Sequence, residues 1–264
     1  MARAGHNRLA RKNSKSQSLE ADEKGKVVSE CRDAITTITF SHPKANSFPL
    51  CLLLELATAI ENAGKDPHSN VIVLQSEGQG TFSAGASFRE FERIATEEDA
   101  KNFFGGFAQV ILAIVRAPKF VICRVQGKTV GGGVGIIAAC DYVIALSTAE
   151  VKLSELELGI GPFVISEAVC RRVGQTAFAT MTIDCVWRPA SWSHAKGLFS
   201  MVENDSAALD VAVGRMAQRL AGVPRKTTQQ LKQLFVRDTI DWEALLSERA
   251  TINGHLLVAA KRLK

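Results

Sequence analysis

Residues Gln126–Phe163 read QGKTVGGGVGIIAACDYVIALSTAEVKLSELELGIGPF, and this stretch decides how the chain is understood. The apolar run Phe120–Val125 leads into it and reads as a buried strand. Three glycines follow, Gly131, Gly132 and Gly133, and then the small apolar segment Val134–Cys140, which suits a buried helix. A backbone without Cβ atoms can lie directly against a ligand. A helix that begins there leaves N–H groups free to face whatever docks on it, and its dipole favours negative charge at the same point. The pattern predicts a place to hold an anion, or an oxygen about to become one.

A strand over Tyr142–Leu146 comes next, and then Val151-Lys152-Leu153-Ser154-Glu155-Leu156-Glu157 runs into Gly159, Gly161 and Pro162. Glu155 lies in a mostly apolar segment bounded by glycines. Burial would raise its pKa, and a carboxyl tuned in that way can move protons near neutral pH. If the segment is extended, Glu155 and Glu157 face opposite sides and only one reaches a pocket. Asp141, between helix and strand, reads as a structural hydrogen-bonding group.

Around this centre, strands and helices alternate, as in an α/β architecture. Val27–Phe40 holds the first strand material, and Ser41-His42-Pro43-Lys44-Ala45-Asn46 reads as a turn. Helices are predicted over Pro49–Ala63 and Thr96–Ala117, with a strand over Asn70–Gln75 between them. After Pro162 the chain turns helical, over Ala168–Val173, Thr176–Ile183, Ser193–Gly197, Ala207–Ala221, Thr227–Val236 and Asp241–Lys264. Three parts are expected: a disordered basic tail over 1–26, a core over 27–190, and a helical C-terminal part over 191–264. The first nineteen residues carry Arg3, Arg8, Arg11, Lys12 and Lys15 and no acid, so an organellar transit peptide and an RNA-binding arm compete with a plain solvated tail.

Composition narrows the class. At 46% hydrophobic and 22% charged residues, the 264-residue chain is of ordinary globular type. No apolar run reaches the roughly 18 residues of a membrane span. The six cysteines are scattered without a C-x-x-C pair. Cys51, Cys123 and Cys140 lie in apolar runs, which predicts buried thiols in a reducing compartment, and cytoplasmic placement is expected. A mitochondrial matrix location is the alternative if the tail is a transit peptide. The formal net charge of +5 suits an anionic ligand without calling for nucleic acid. The five histidines are isolated and none is spaced with cysteines as zinc ligands would be, so no metal site is expected. Gly133-Val134-Gly135-Ile136-Ile137-Ala138 fits a dinucleotide-binding fingerprint, but Gln126–Val130 separate it from the strand it should follow at once.

Taken together, Phe82-Ser83-Ala84-Gly85-Ala86, the Gly131-Gly132-Gly133 helix start, Asp141, Glu155 before Gly159 and Pro162, and Lys196-Gly197-Leu198 resemble the crotonase superfamily of enoyl-CoA hydratases and isomerases. The resemblance runs from about Ile35 to the C-terminus. It implies a crotonase (ClpP/crotonase-like) α/β fold of repeated ββα units, with a helical C-terminal part that builds trimer contacts and covers the ligand. A homotrimer or dimer of trimers is the implied assembly. The implied substrate is an acyl-CoA thioester, whose coenzyme A is part of the substrate, so no separate cofactor is expected. The family's oxyanion hole maps to the N–H groups of Ala86 and Gly132, where the side chains play no part and small residues suit the mechanism. Ala84, Gly85 and Gly131 line the same place. The turn bearing Lys44 and Ala45 would lie over the adenine end of coenzyme A, with Lys44 meeting phosphate. A C-terminal basic residue among Lys261, Arg262 and Lys264 reads as a solvated helix end, or as a further phosphate contact.

Hydratases of this family use two glutamates. The second maps to Glu155, while the first maps to Gly135, which has no side chain to hold water. One glutamate resembles the family's Δ3,Δ2-enoyl-CoA isomerases, in which a single carboxylate takes a proton from C2 and returns it at C4. Phe163 stands where the family has glycine and is expected to narrow the pocket. The expected function is thus double-bond isomerisation through a stabilised enolate. The alternatives are a hydratase using Glu155 alone, a decarboxylase on the same scaffold, and a non-catalytic RNA-binding homologue.

Overall fold

The computed structural model describes residues 25–262. The expected basic tail therefore lies outside the described residues, apart from Gly25 and Lys26, and so does Lys264. The strands are β1 (Lys26–Arg32), β2 (Ile35–Ser41), β3 (Val71–Ser76), β4 (Phe120–Val125), β5 (Thr129–Val130), β6 (Tyr142–Leu146), β7 (Glu150–Lys152), β8 (Arg188–Pro189) and β9 (Met201–Glu203). The helices are α1 (Leu50–Lys65), α2 (Phe88–Arg93), α3 (Glu97–Arg116), α4 (Gly132–Ala139), α5 (Phe163–Val173), α6 (Gln175–Asp184), α7 (Ala190–Ala195), α8 (Ser206–Ala221), α9 (Arg225–Phe235) and α10 (Trp242–Arg262).

The main sheet runs β1-β2-β3-β4-β6-β9. Its first pair is an antiparallel hairpin turning on Asp33 and Ala34, both with positive φ, and every later pairing is parallel. Parallel strands are covered on both faces, and their side chains divide accordingly. Ile72, Leu74, Val121, Cys123 and Val143 join the large core under α1, α3, α5 and α10. Val71, Val73, Ile122 and Ile144 point the other way, against Leu209, Val213 and Ala217 of α8.

The five residues between β4 and the glycine triplet carry the chain off the main sheet. Thr129 and Val130 form β5, which pairs in parallel with β7, and β7 pairs with β8 in a second, three-stranded sheet. That excursion explains why the dinucleotide fingerprint is not met here. A strand-loop-strand-helix unit, β4-β5-α4, takes the place of a strand running straight into a helix.

Several expectations are corrected. The line at 190/191 falls at the start of α7, and β9 beyond it completes the main sheet, so the two stretches share one sheet and one core. Cys51 is exposed on the outer side of α1, whereas Cys123 and Cys140 are buried. Helix α5 starts at Phe163, ahead of the expected Ala168. Helix α3 begins on Thr96, whose Oγ1 accepts the Asp99 N–H (3.1 Å), with Glu97, Glu98 and Asp99 in its first turn favouring the dipole.

Asp141 is structural. Its Oδ2 accepts the Val121 N–H at 2.8 Å and meets Lys232 Nζ at 2.5 Å, tying α9 to the end of the β4–β6 pair. Lys232 is almost fully enclosed. Breaking such a pair leaves an uncompensated charge. Lys232→Met should therefore lower the unfolding free energy by roughly 3 kcal/mol. The check is the urea midpoint at unchanged slope, and a loss no larger than a surface substitution would show that the pair carries little.

Candidate functional site

Three short extended segments lie side by side and deliver the site. Ser83 bridges Thr129 in parallel, Val130 N–H donates to the Ser83 carbonyl at 2.9 Å, and Thr129 and Val130 stand opposite Val151 and Lys152. The residues just beyond the three segments therefore emerge together: Ala84-Gly85-Ala86, Gly131-Gly132, and Ser154-Glu155. All seven line one cavity of about 250 Å³.

The backbone there is shaped for a ligand. Gly85 has φ +82°, and a Cβ on it would stand 2.8 Å from the Val130 carbonyl. The loop's hydrogen bonds pass over Ala86: Gly85 N–H goes to Ser83 Oγ (3.0 Å) and Ser87 N–H to the Phe48 carbonyl (2.9 Å). Gly131 has φ +52° and gives its N–H to the Lys152 carbonyl (2.9 Å). Gly132 is the first residue of α4, so its N–H has no intrahelical acceptor. The expectation that any small residue serves at 132 is too loose. A Cβ there would fall 2.2 Å from Cε1 of the buried Phe107, so only glycine fits.

Glu155 lies against the bare Cα of Gly131, where a Cβ would come within 3.0 Å of its Oε1. As a residue it is half-buried, but its Oε2 is sealed from solvent and has no hydrogen-bond partner. Burial pushes the carboxyl up to about 7, opposed in part by the backbone N–H groups of Glu155 and Ser154. The segment is not extended as expected. Glu155 has helical φ and ψ and opens a 3₁₀ turn over Leu156–Leu158. Glu157 still faces away, exposed and paired with Lys152 Nζ at 2.8 Å.

The remaining expected residues fall differently. Gly135 does not line the cavity; it is packed under α5, and a Cβ on it would sit 2.3 Å from Ile165 Cγ2. Ile165 does line the cavity, so an apolar wall occupies the direction a side chain at 135 would take. Phe163 does not narrow the pocket: its ring folds over Gly161 while Pro162, Val164 and Ile165 form the wall. Lys44 lines a second cavity of about 390 Å³ with His42 and Arg89, and this outer cavity shares Ala84, Ala86 and Phe88 with the inner one. Ala45 is backbone support, its carbonyl accepting the Ala84 N–H at 3.0 Å. Lys261 is neither solvated nor in the outer cavity. Its Nζ donates to the carbonyls of Phe91, Glu92 and Ile94 and caps the end of α2.

Helix α2 and its aromatic residues were not anticipated, although Phe88 and Phe91 line the inner cavity. Ser87 and Glu90 have the spacing of a helix-start signal, and Ser87 Oγ does accept the Glu90 N–H. Phe104, Phe107 and Asn253 were missed as lining residues because they read as ordinary helix-face positions. Among the described residues, no cluster of three His, Cys, Asp or Glu side chains could hold a metal, and no helix is long and apolar enough to cross a membrane.

With this geometry the comparisons with known proteins agree. The enoyl-CoA hydratase/isomerase family model matches residues 30–257. The chain belongs to the enoyl-CoA hydratase/isomerase family. A probable enoyl-CoA hydratase of Bacillus subtilis is 31% identical over 232 residues, covering 86% of this chain and 85% of that protein. A (7aS)-7a-methyl-1,5-dioxo-2,3,5,6,7,7a-hexahydro-1H-indene-carboxyl-CoA hydrolase of Rhodococcus jostii is 32% identical, but over 48% of this chain and only 49% of the relative. The crystal structure of an enoyl-CoA hydratase from Bacillus halodurans superposes with a TM-score of 0.84 at 20% identity, covering 90% of this chain and 98% of that one, which establishes the crotonase fold.

The dry carboxyl makes a prediction about stability. In the unfolded chain Glu155 titrates near its ordinary 4.5, and in the folded protein near 7. The folded state holds the proton more tightly, so this group's contribution is full below 4.5 and is lost as pH rises through 7. Glu155→Gln removes the buried charge. It should be more stable than the wild type at pH 8, by on the order of 3 kcal/mol at most, with the difference vanishing toward pH 4.5. Denaturant unfolding at several pH values measures this, and a difference independent of pH would contradict the shifted pKa.

Proposed function

We propose that the protein isomerises the double bond of an enoyl-CoA thioester, with Glu155 as the one proton carrier. The observation that carries this reading is the setting of Glu155: a lone, dry carboxyl beside the N–H groups of Ala86 and Gly132, with Ile165 closing the direction from Gly135. The thioester oxygen sits between the two N–H groups. The Glu155 carboxylate takes a proton from C2 of a 3-enoyl chain, and the electron pair of that C–H bond moves onto the thioester oxygen as an enolate. The N–H donors stabilise that charge as it forms. The new carboxylic acid then gives its proton to C4 while the double bond settles between C2 and C3. Nothing is added or lost, and no positioned water takes part. Lys44 and Arg89 at the outer cavity suit the phosphates of coenzyme A.

Hydration by Glu155 alone is the second reading, favoured by the Bacillus subtilis relative named a probable enoyl-CoA hydratase. The two separate on substrates. Wild-type protein should convert a 3-enoyl-CoA to its 2-enoyl isomer faster than it hydrates a 2-enoyl-CoA, with products identified by mass and chromatography. Hydration as the faster reaction would replace the first reading with the second. Glu155→Gln should lose at least about a hundredfold in kcat, with thioester binding nearly intact. Because the base must be ionised, kcat/KM should rise with pH and level off above about 7. A flat profile between pH 5 and 8 would point to another base.

A further inference from the structure

Besides Glu155 and Ser154, the inner cavity holds a polar side chain that the proposed chemistry does not use. Asn253 comes from α10, is 3% exposed and lines the cavity together with Glu155, Phe91, Phe104, Leu158 and Val164, among others. Its Oδ1 is buried and has no hydrogen-bond partner. A buried polar atom without a partner is costly, and such groups in folded proteins are normally satisfied by protein, water or ligand.

The position of Asn253 is fixed by its neighbours. Gly254 lets α10 lie on the backbone of α3, since a Cβ there would come within 2.9 Å of the Glu97 carbonyl. Seven residues on from Gly254, Lys261 anchors the same helix to the carbonyls of Phe91, Glu92 and Ile94. The carboxamide is thus held on a rigid wall of the cavity, with its Oδ1 sealed from solvent.

We infer that Asn253 reads a polar group on the acyl chain, so that the substrate is an enoyl-CoA carrying a hydroxyl remote from the thioester rather than a plain hydrocarbon tail. A hydroxyl fits whichever way the carboxamide is turned, because it can donate to the amide oxygen or accept from the NH₂. A site built to bond a substrate hydroxyl strongly rejects the analogue that lacks it, because its own polar group is then left unpaired. This inference rests on the enoyl-CoA reading of the site.

The test uses the full-length protein and two series of 3-enoyl-CoA thioesters matched in chain length, one with hydrocarbon tails and one with a single hydroxyl placed at successive distal carbons. For at least one hydroxyl position, kcat/KM should exceed that of the matched hydrocarbon by at least about tenfold. Asn253→Leu should abolish the preference, lowering kcat/KM for the hydroxylated thioester by at least about tenfold, to the level of its matched hydrocarbon. Absence of any preference in the wild type overturns the inference, and needs no variant. Equal loss on both series in Asn253→Leu also overturns it, since Asn253 would then support the fold or hold a water. If no enoyl-CoA is turned over, the enzymatic reading fails by itself. Titration calorimetry with the saturated acyl-CoA and hydroxyacyl-CoA pairs then decides the inference, tighter binding of the hydroxylated member supporting it and equal binding overturning it.

Discussion

The site depends on the alignment of three segments no longer than a few residues each. Ser83, Thr129–Val130 and Val151–Lys152 run parallel, and their register sets which residues emerge together. A slip of one residue in a strand turns every side chain to the opposite face. Here it would also move Glu155 off Gly131 and Ala86 away from Gly132. So short a sheet has little pairing energy of its own, and its alignment is inherited from larger elements. The main sheet positions β4 and β6, whose exits are β5 and β7. The Phe48 backbone ties down the 83–87 loop through the Gly85 carbonyl and the Ser87 N–H.

Within that frame, dryness sets the chemistry. The carboxyl of Glu155 is raised by loss of solvent and not by a neighbouring acid, so it differs in kind from a paired-carboxylate site. A pair of carboxylates would divide the roles of acid and base between two groups. A single desolvated group must play both in sequence, which suits a reaction that removes and returns one proton. The same burial that tunes it destabilises its ionised form, so the fold is least helped by this residue at the pH where it is most active.

Much of this was legible in the sequence where physical constraint is local. The glycine triplet announces a backbone approach that no side chain permits, and the apolar runs Val71–Leu74 in β3 and Phe120–Cys123 in β4 announce a two-sided core. Glu155 stood out by its surroundings. What was not legible depends on packing between distant segments. That Gly132 must be glycine follows from the ring of Phe107, twenty-five positions earlier, and nothing local reports it. Phe163 looked like a pocket residue because its neighbours are, yet its ring lies over Gly161. Lys261 looked solvated because it lies in a basic helix end, and only the fold brings three carbonyls to it. The short strands β5, β7 and β8 have too few residues to show a period.

Gly135 and Ile165 are one decision made at two positions. With glycine at 135, α5 can press onto α4 until Ile165 Cγ2 occupies the place of a side chain. The branched side chain that fills this gap then also lines the cavity, so the same contact that closes the helix pair makes this part of the cavity wall apolar. A carboxylate at 135 would need both the volume and the hydration that Ile165 removes, and a buried second charge close to Glu155 would carry a large desolvation cost. The absence of a second acid is therefore built into the packing of two helices as well as into one codon. It leaves Glu155 and the carboxamide of Asn253 as the enclosed polar side chains with unpaired atoms on this chamber among the described residues, one at the reacting end and one on the α10 wall.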